Sequence, residues 1–213
     1  MKQLFIEAKS NIKIEQALKR SLKLLPKKVG IATTAQHKHL LKQAESFLNK
    51  NNIKSVIAGQ VLGCNANSAK KIKDKVDAFL YIGSGRFHPI RIALETEKKV
   101  IMANPFTNEA KILEQEEILK VQKQQKGALL KFLTSNHIGL LVSTKPGQNH
   151  LNQAIKLKEK LKDKNCYIFL ADTINPEEFQ NFPFIESWVN TACPRFADEK
   201  KGVLNYENLK EVI

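Results

Sequence analysis

Cys193 stands in Asn190-Thr191-Ala192-Cys193-Pro194-Arg195, directly after the short apolar run Ile185 to Val189. Cys64 stands in Gly59-Gln60-Val61-Leu62-Gly63-Cys64-Asn65, directly after the run Ile53 to Ala58. Each thiol therefore falls where a strand is expected to end and a polar, glycine- or proline-marked loop to begin. In open α/β sheets that edge holds ligands, because helix N-termini and free backbone N–H groups converge there. Two thiols so placed point to a metal or cluster site assembled across domains. Cys166 differs: it lies inside the apolar stretch Cys166-Tyr167-Ile168-Phe169-Leu170, where a free cysteine acts as a small hydrophobe. It reads as structural.

Other residues narrow the chemistry. Two loop thiolates are too few for a structural zinc site, and no Cys-x-x-Cys or His-x(3–5)-His spacing supplies the remaining ligands. The histidines His37, His39, His88, His137 and His150 are scattered, and only His88 shares a loop with an arginine, Arg86. That loop, Gly83-Ser84-Gly85-Arg86-Phe87-His88-Pro89, resembles half of a dinucleotide fingerprint, but His88 occupies the place of the third glycine. An NAD site is thereby excluded. Backbone N–H groups with Arg86 beside them still suit a carboxylate or phosphate. The chain has only four arginines, and Arg86, Arg91 and Arg195 lie in or beside the glycine and cysteine loops. A guanidinium fork suits bidentate anion recognition. Lys145-Pro146-Gly147-Gln148 is a turn signal first and a ligand loop second. Nucleophile-elbow, P-loop and His-Glu-x-x-His motifs are absent.

Short unbroken apolar runs alternate with amphipathic stretches through both halves. Strands are expected at Leu4 to Ala8, Val29 to Thr33, Ile53 to Ala58, Val76 to Ile82 and Val100 to Ala103. Helices fall between them, the first ended by Pro26 and the second by Asn51-Asn52. Glu109 to Lys126 is charged and glutamine-rich, and reads as a connector that becomes a helix. Strands then recur at Ile138 to Val142, Tyr167 to Ala171, Ile185 to Val189 and Val203-Leu204, with a helix over Leu151 to Leu161 and another from about Glu207. Asn175-Pro176-Glu177-Glu178 is a cap-then-proline helix start. The fold class is α/β: two consecutive Rossmann-like domains with parallel sheets, 1–113 around the Cys64 loop and 114–213 around the Cys193 loop.

At 213 residues and 42% apolar content, no run approaches the ~20 residues of a membrane helix. The start Met1-Lys2-Gln3-Leu4-Phe5-Ile6-Glu7 does not read as a secretory signal, so a soluble cytoplasmic protein without a membrane partner is expected. Lys+Arg exceed Asp+Glu by 35 − 21 = 14. The excess is nearly all lysine on helix faces such as Lys19, Lys23, Lys38 and Lys42, which reads as a solvated surface rather than a nucleic-acid footprint.

Taken together, Gly59 to Cys64, Gly83 to Pro89, Ala103-Asn104-Pro105-Phe106, Thr144 to Gln148 and Asn190 to Arg195 resemble, in order and spacing, the archaeal and eukaryotic diphthamide synthase family. The resemblance covers nearly the whole chain. It implies a protein of three Rossmann-like domains, each giving one cysteine to a 4Fe–4S cluster whose fourth iron takes S-adenosylmethionine. It further implies transfer of a 3-amino-3-carboxypropyl group to a histidine of translation elongation factor 2. By that resemblance Cys64 and Cys193 are the second and third iron ligands. Gly83, Ser84, Gly85, Arg86, His88, Lys145, Gln148 and Arg195 are then candidates to hold S-adenosylmethionine or the target histidine. The chain starts where the family's second domain should start, so a separate chain is expected to supply the first domain and the third cysteine, in a dimer or hetero-oligomer. The alternative is a non-catalytic scaffold or binding module for elongation factor 2 or RNA.

Overall fold

The computed structural model describes residues 4, 6, 8–63, 65–200, 202–209 and 212. These form two compact units, Met1–Ile118 and Leu119–Ile213.

In the first unit, α1 (Glu15–Ser21) leads into β1 (Lys28–Thr33), then α2 (Leu41–Lys50), β2 (Lys54–Gln60), the short α3 (Asn67–Lys70) and β3 (Ala78–Ile82). They are followed by α4 (Phe87–Thr96), β4 (Lys99–Asn104) and β5 (Glu109–Ile112). The sheet order is β2-β1-β3-β4-β5, parallel except for the last pair. The chain passes from β1 to β2 on one side, then crosses to β3 on the other. The resulting switch point lies between β1 and β3, where open α/β sheets make their ligand crevice. The central strands read as continuous apolar runs because both faces are covered. Ala78, Leu80 and Ile82 of β3 pack with Leu18, Ala44 and Leu48 on one side. Phe79 and Tyr81 pack with Ala69, Ile92 and Ala93 on the other.

The second unit repeats the plan. α5 (Gln115–Thr134) spans the division between the units and leads to β6 (His137–Ser143), α6 (Leu151–Lys160) and β7 (Asn165–Ala171). A 3-10 turn at Pro176–Asn181, β8 (Ser187–Asn190), α7 (Pro194–Glu199) and β9 (Val203–Asn205) complete it. The sheet is parallel throughout, in the order β7-β6-β8-β9. Phe132, Ala154 and Leu157 cover one face. Trp188, with Phe169, Phe179, Phe182 and Phe196, forms an aromatic cluster on the other. Gly139 lets that cluster close, since a Cβ there would sit 2.4 Å from the Trp188 ring.

Several expectations differ from this arrangement. The start of the connector helix is instead β5, returning antiparallel along β4. The turn between them is fixed by the Asn104 side chain, which accepts from the Phe106 N–H (2.9 Å), and by Asn108 in the left-handed region (φ 53°). The strand expected at Leu4 to Ala8 lies partly outside the described residues. Leu4, Ile6 and Ala8 belong to no strand, and the position beside β4 is taken by β5. Near the C-terminus, Tyr206–Leu209 is a 3-10 turn rather than an α-helix, as is the Asn175-capped segment, where Asn175 accepts from the Glu177 N–H.

Candidate functional site

The carboxyl edge of the first sheet carries a cavity of about 340 Å³. It is lined by the segments after β1 (Thr34 to His37), β2 (Gln60 to Leu62) and β3 (Ser84, His88), with Phe106 at its rim. Buried Thr33 ties the floor together by donating to the Ile82 carbonyl at 2.6 Å. The Gly83-Ser84-Gly85 loop needs its glycines, with φ of 153° at Gly83 and 76° at Gly85. Beneath it lies Tyr81, fully buried, its hydroxyl donating to the Ser84 carbonyl at 3.4 Å. Burial pushes the Tyr81 phenol up to about 12, so it stays a donor. His88 stacks on its ring with centroids 5.9 Å apart.

His37, among the histidines assigned no role above, is 3% exposed and its Nδ1 has no hydrogen-bond partner. Burial first, and His39 second, hold its pKa below 6.5, which keeps it neutral near pH 7. Phe106 leans on its ring at 5.9 Å. Among the described residues that line the cavity there is no Asp, Glu, Lys or Arg, and Arg86 does not face into it. Arg86 is instead paired with Glu117 at 2.6 Å on an exposed side chain.

The loop that bears Cys64 is fastened from both sides, although Cys64 itself lies outside the described residues. Leu62 and Asn65 exchange backbone hydrogen bonds, each 3.0 Å. Arg91 of α4 donates from Nε to the Gly63 carbonyl at 3.2 Å. Gly63 lies against the Phe87 ring so closely that a Cβ would fall 1.5 Å from Cε1. No local sequence signal links Gly63 to Phe87 and Arg91, because the contact joins residues more than twenty positions apart.

In the second unit, Lys145 and Gln148 sit in the loop after β6, and the Lys145 ammonium donates to the Thr173 hydroxyl at 3.0 Å. Arg195 is exposed in the first turn of α7, two residues beyond Cys193. Cys193 is a free, half-buried cysteine at the N-cap of that helix. Its main chain is held by the buried Asn190, whose amide donates to the Cys193 carbonyl at 2.9 Å and accepts from the Ala192 N–H at 3.1 Å.

The donor set fits an iron–sulfur cluster in part. Cys193 presents a thiol at a sheet edge, as a thiolate ligand requires. Cys166 does not. It is 6% exposed at the amino end of β7, in register with Ile138, and burial raises its pKa, disfavouring the thiolate. Among the described residues no three His, Cys, Asp or Glu side chains are grouped to hold a metal ion.

A family model described as "Putative diphthamide synthesis protein" matches residues 1–201. A 2-(3-amino-3-carboxypropyl)histidine synthase of Pyrococcus horikoshii is 32% identical over 206 residues, covering 90% of this chain and 58% of that protein. The synthase of the same name from Methanocaldococcus jannaschii is 34% identical over 174 residues, covering 79% and 45%. The crystal structure of Dph2 from Pyrococcus horikoshii with a 4Fe-4S cluster superimposes with a TM-score of 0.79 at 29% identity, covering 95% of this chain and 63% of that one. The chain thus spans less than two thirds of the length of these relatives. With its two Rossmann-like units, the chain belongs to the diphthamide synthesis protein family.

Proposed function

We propose that this chain is the part of a 3-amino-3-carboxypropyl transferase that contributes two of three thiolates, Cys64 and Cys193, to a 4Fe–4S cluster. The acceptor is a histidine of translation elongation factor 2 and the donor S-adenosylmethionine. The observation that carries the reading is the Cys193 loop: a thiol at the carboxyl edge of a parallel sheet, on a main chain fixed by buried amides. The relatives named as synthases, and the cluster named for Dph2, support it. Since Cys166 is buried in the sheet, the third thiolate comes from polypeptide outside these 213 residues.

When bound, the cluster would supply an open Lewis-acidic iron for the donor's amino-acid end and an electron for cleaving its carbon–sulfur bond. This chain's residues do the rest. The cavity beside Ser84 and His88, whose described lining has no Asp, Glu, Lys or Arg, suits the neutral part of the donor. Arg86 and Arg195 are candidates for the methionine carboxylate. Arg86 would exchange Glu117 for it, since its own side chain in that pair is exposed.

The test is anaerobic incubation of the chain with a polypeptide carrying the third thiolate, elongation factor 2, reductant and S-adenosylmethionine labelled in its methionine carbons. Label should reach the factor's histidine, and Cys64→Ala or Cys193→Ala should each abolish it while Cys166→Ala does not. Unlabelled factor, together with direct binding of the chain to the factor or to RNA, would favour the scaffold reading instead.

A further inference from the structure

We propose that Asn190, braced by Asn205, is the positioning residue that presents the Cys193 thiol. The assignment of iron to Cys193 rests on the functional reading above, but the presentation of the thiol does not.

Asn190 ends β8 and is 2% exposed; Asn205 ends β9 and is 4% exposed. The two are register partners on neighbouring strands. Asparagine is a poor strand former, and burying its amide is unfavourable unless every polar atom is matched. Here the matches all serve one loop. The Asn190 amide donates to Asn205 Oδ1 at 2.8 Å and to the Cys193 carbonyl at 2.9 Å, while its Oδ1 accepts from the Ala192 N–H at 3.1 Å. Asn205 donates in turn to the Pro194 carbonyl at 3.0 Å and to Asp198 Oδ1 at 3.3 Å. Asp198 Oδ1 also accepts from Gln125 at 3.2 Å.

The intervening residue is fixed independently. Thr191 donates to the Leu141 carbonyl from its hydroxyl at 2.8 Å and from its N–H at 3.0 Å. From position 190 to 194 the main chain is therefore pinned on both sides of Cys193, and the thiol projects from a fixed frame. Two apolar residues at 190 and 205 would serve the sheet equally well. They would leave the Cys193 and Pro194 carbonyls and the Ala192 N–H without these partners. The pair is explained by the loop it holds.

Asn190→Asp is nearly isosteric and keeps the acceptor for Ala192 but loses the donor to both Cys193 and Asn205. Asn205→Leu removes the brace. Alkylation of the unloaded protein by iodoacetamide, read peptide by peptide, gives the Cys193 rate, and buried Cys166 reports in the same sample whether the fold is intact. With Cys166 still protected, the Cys193 rate in either variant should rise at least about tenfold, since each loses more than one buried hydrogen bond and a single one is equivalent to about that factor. Cysteine alkylation at Cys64 should stay unchanged. On reconstitution with iron, sulfide and a small thiol, the spin-resonance spectrum of the variants should broaden relative to the parent. A Cys193 rate equal to the parent's in both folded variants would overturn the proposal. If the rates rise as expected but Cys193→Ala still forms the full cluster, the positioning role stands and the iron-ligand reading fails.

Discussion

Gly63 carries no side chain because the Phe87 ring occupies the place where one would go. Gly63→Ala forces the ring aside and should cost about 1–3 kcal/mol, the usual range for overpacking. Thermal unfolding measures the loss, and Phe87→Leu in the same chain should recover most of it. His37 makes a second prediction. It is buried and neutral in the fold, whereas in the unfolded chain it takes a proton near its ordinary 6.5. The unfolded state thus binds more protons, so stability is intact above that value and falls as the pH drops through the lower native one. His37→Leu should flatten this acid limb in denaturant titrations at a series of pH values, and an unchanged slope would contradict it. At this scale the two cysteine loops stand out in the sequence, because Cys64 and Cys193 each follow a short apolar run. Their holders do not. Arg91 reaches Gly63 from α4, and Asn205 meets Asn190 only through the pairing of β8 with β9. His37 gave no signal, since its burial follows from the turn after β1 rather than from its neighbours in sequence.

Among the elements, α4 ends on Glu97 in the left-handed region (φ 57°), with its N–H bonded back to the Ala93 carbonyl. That conformation costs a side-chain-bearing residue about 1–2 kcal/mol. Glu97→Gly should therefore raise the denaturant midpoint by roughly 1 kcal/mol in stability, with the slope unchanged. A lower midpoint would mean that the Glu97 side chain matters more than its backbone. The central strands were readable because a sheet covered on both faces leaves an unbroken apolar run, as in Ala78–Ile82. β5 was not, because its residues are mostly exposed and its Glu and Lys mimic a solvated helix. What makes it a strand is the turn fixed by Asn104 and Asn108 and the free edge of β4. Nor did the pattern reveal how α5 ends. Lys164, from before β7, donates to the Leu133 and Ser135 carbonyls at 3.1 and 2.7 Å and lies over Phe132.

At the scale of the molecule, one plan is used twice: a half-Rossmann sheet with a cysteine loop following a strand. The net charge of +14 comes from an excess of lysine, while the described lining of the cavity at the first sheet edge holds no Asp, Glu, Lys or Arg. The described cysteines differ in burial, with Cys166 packed in the core of the second unit and Cys193 half-buried at its edge. The most direct test is anaerobic reconstitution of the chain with iron, sulfide and a small thiol to complete the ligand set, followed by spin-resonance of the reduced sample. The parent and Cys166→Ala should give the 4Fe–4S signal, and Cys64→Ala and Cys193→Ala should each lose it. A signal that survives both of those substitutions would contradict the assignment of these two sulfurs to iron.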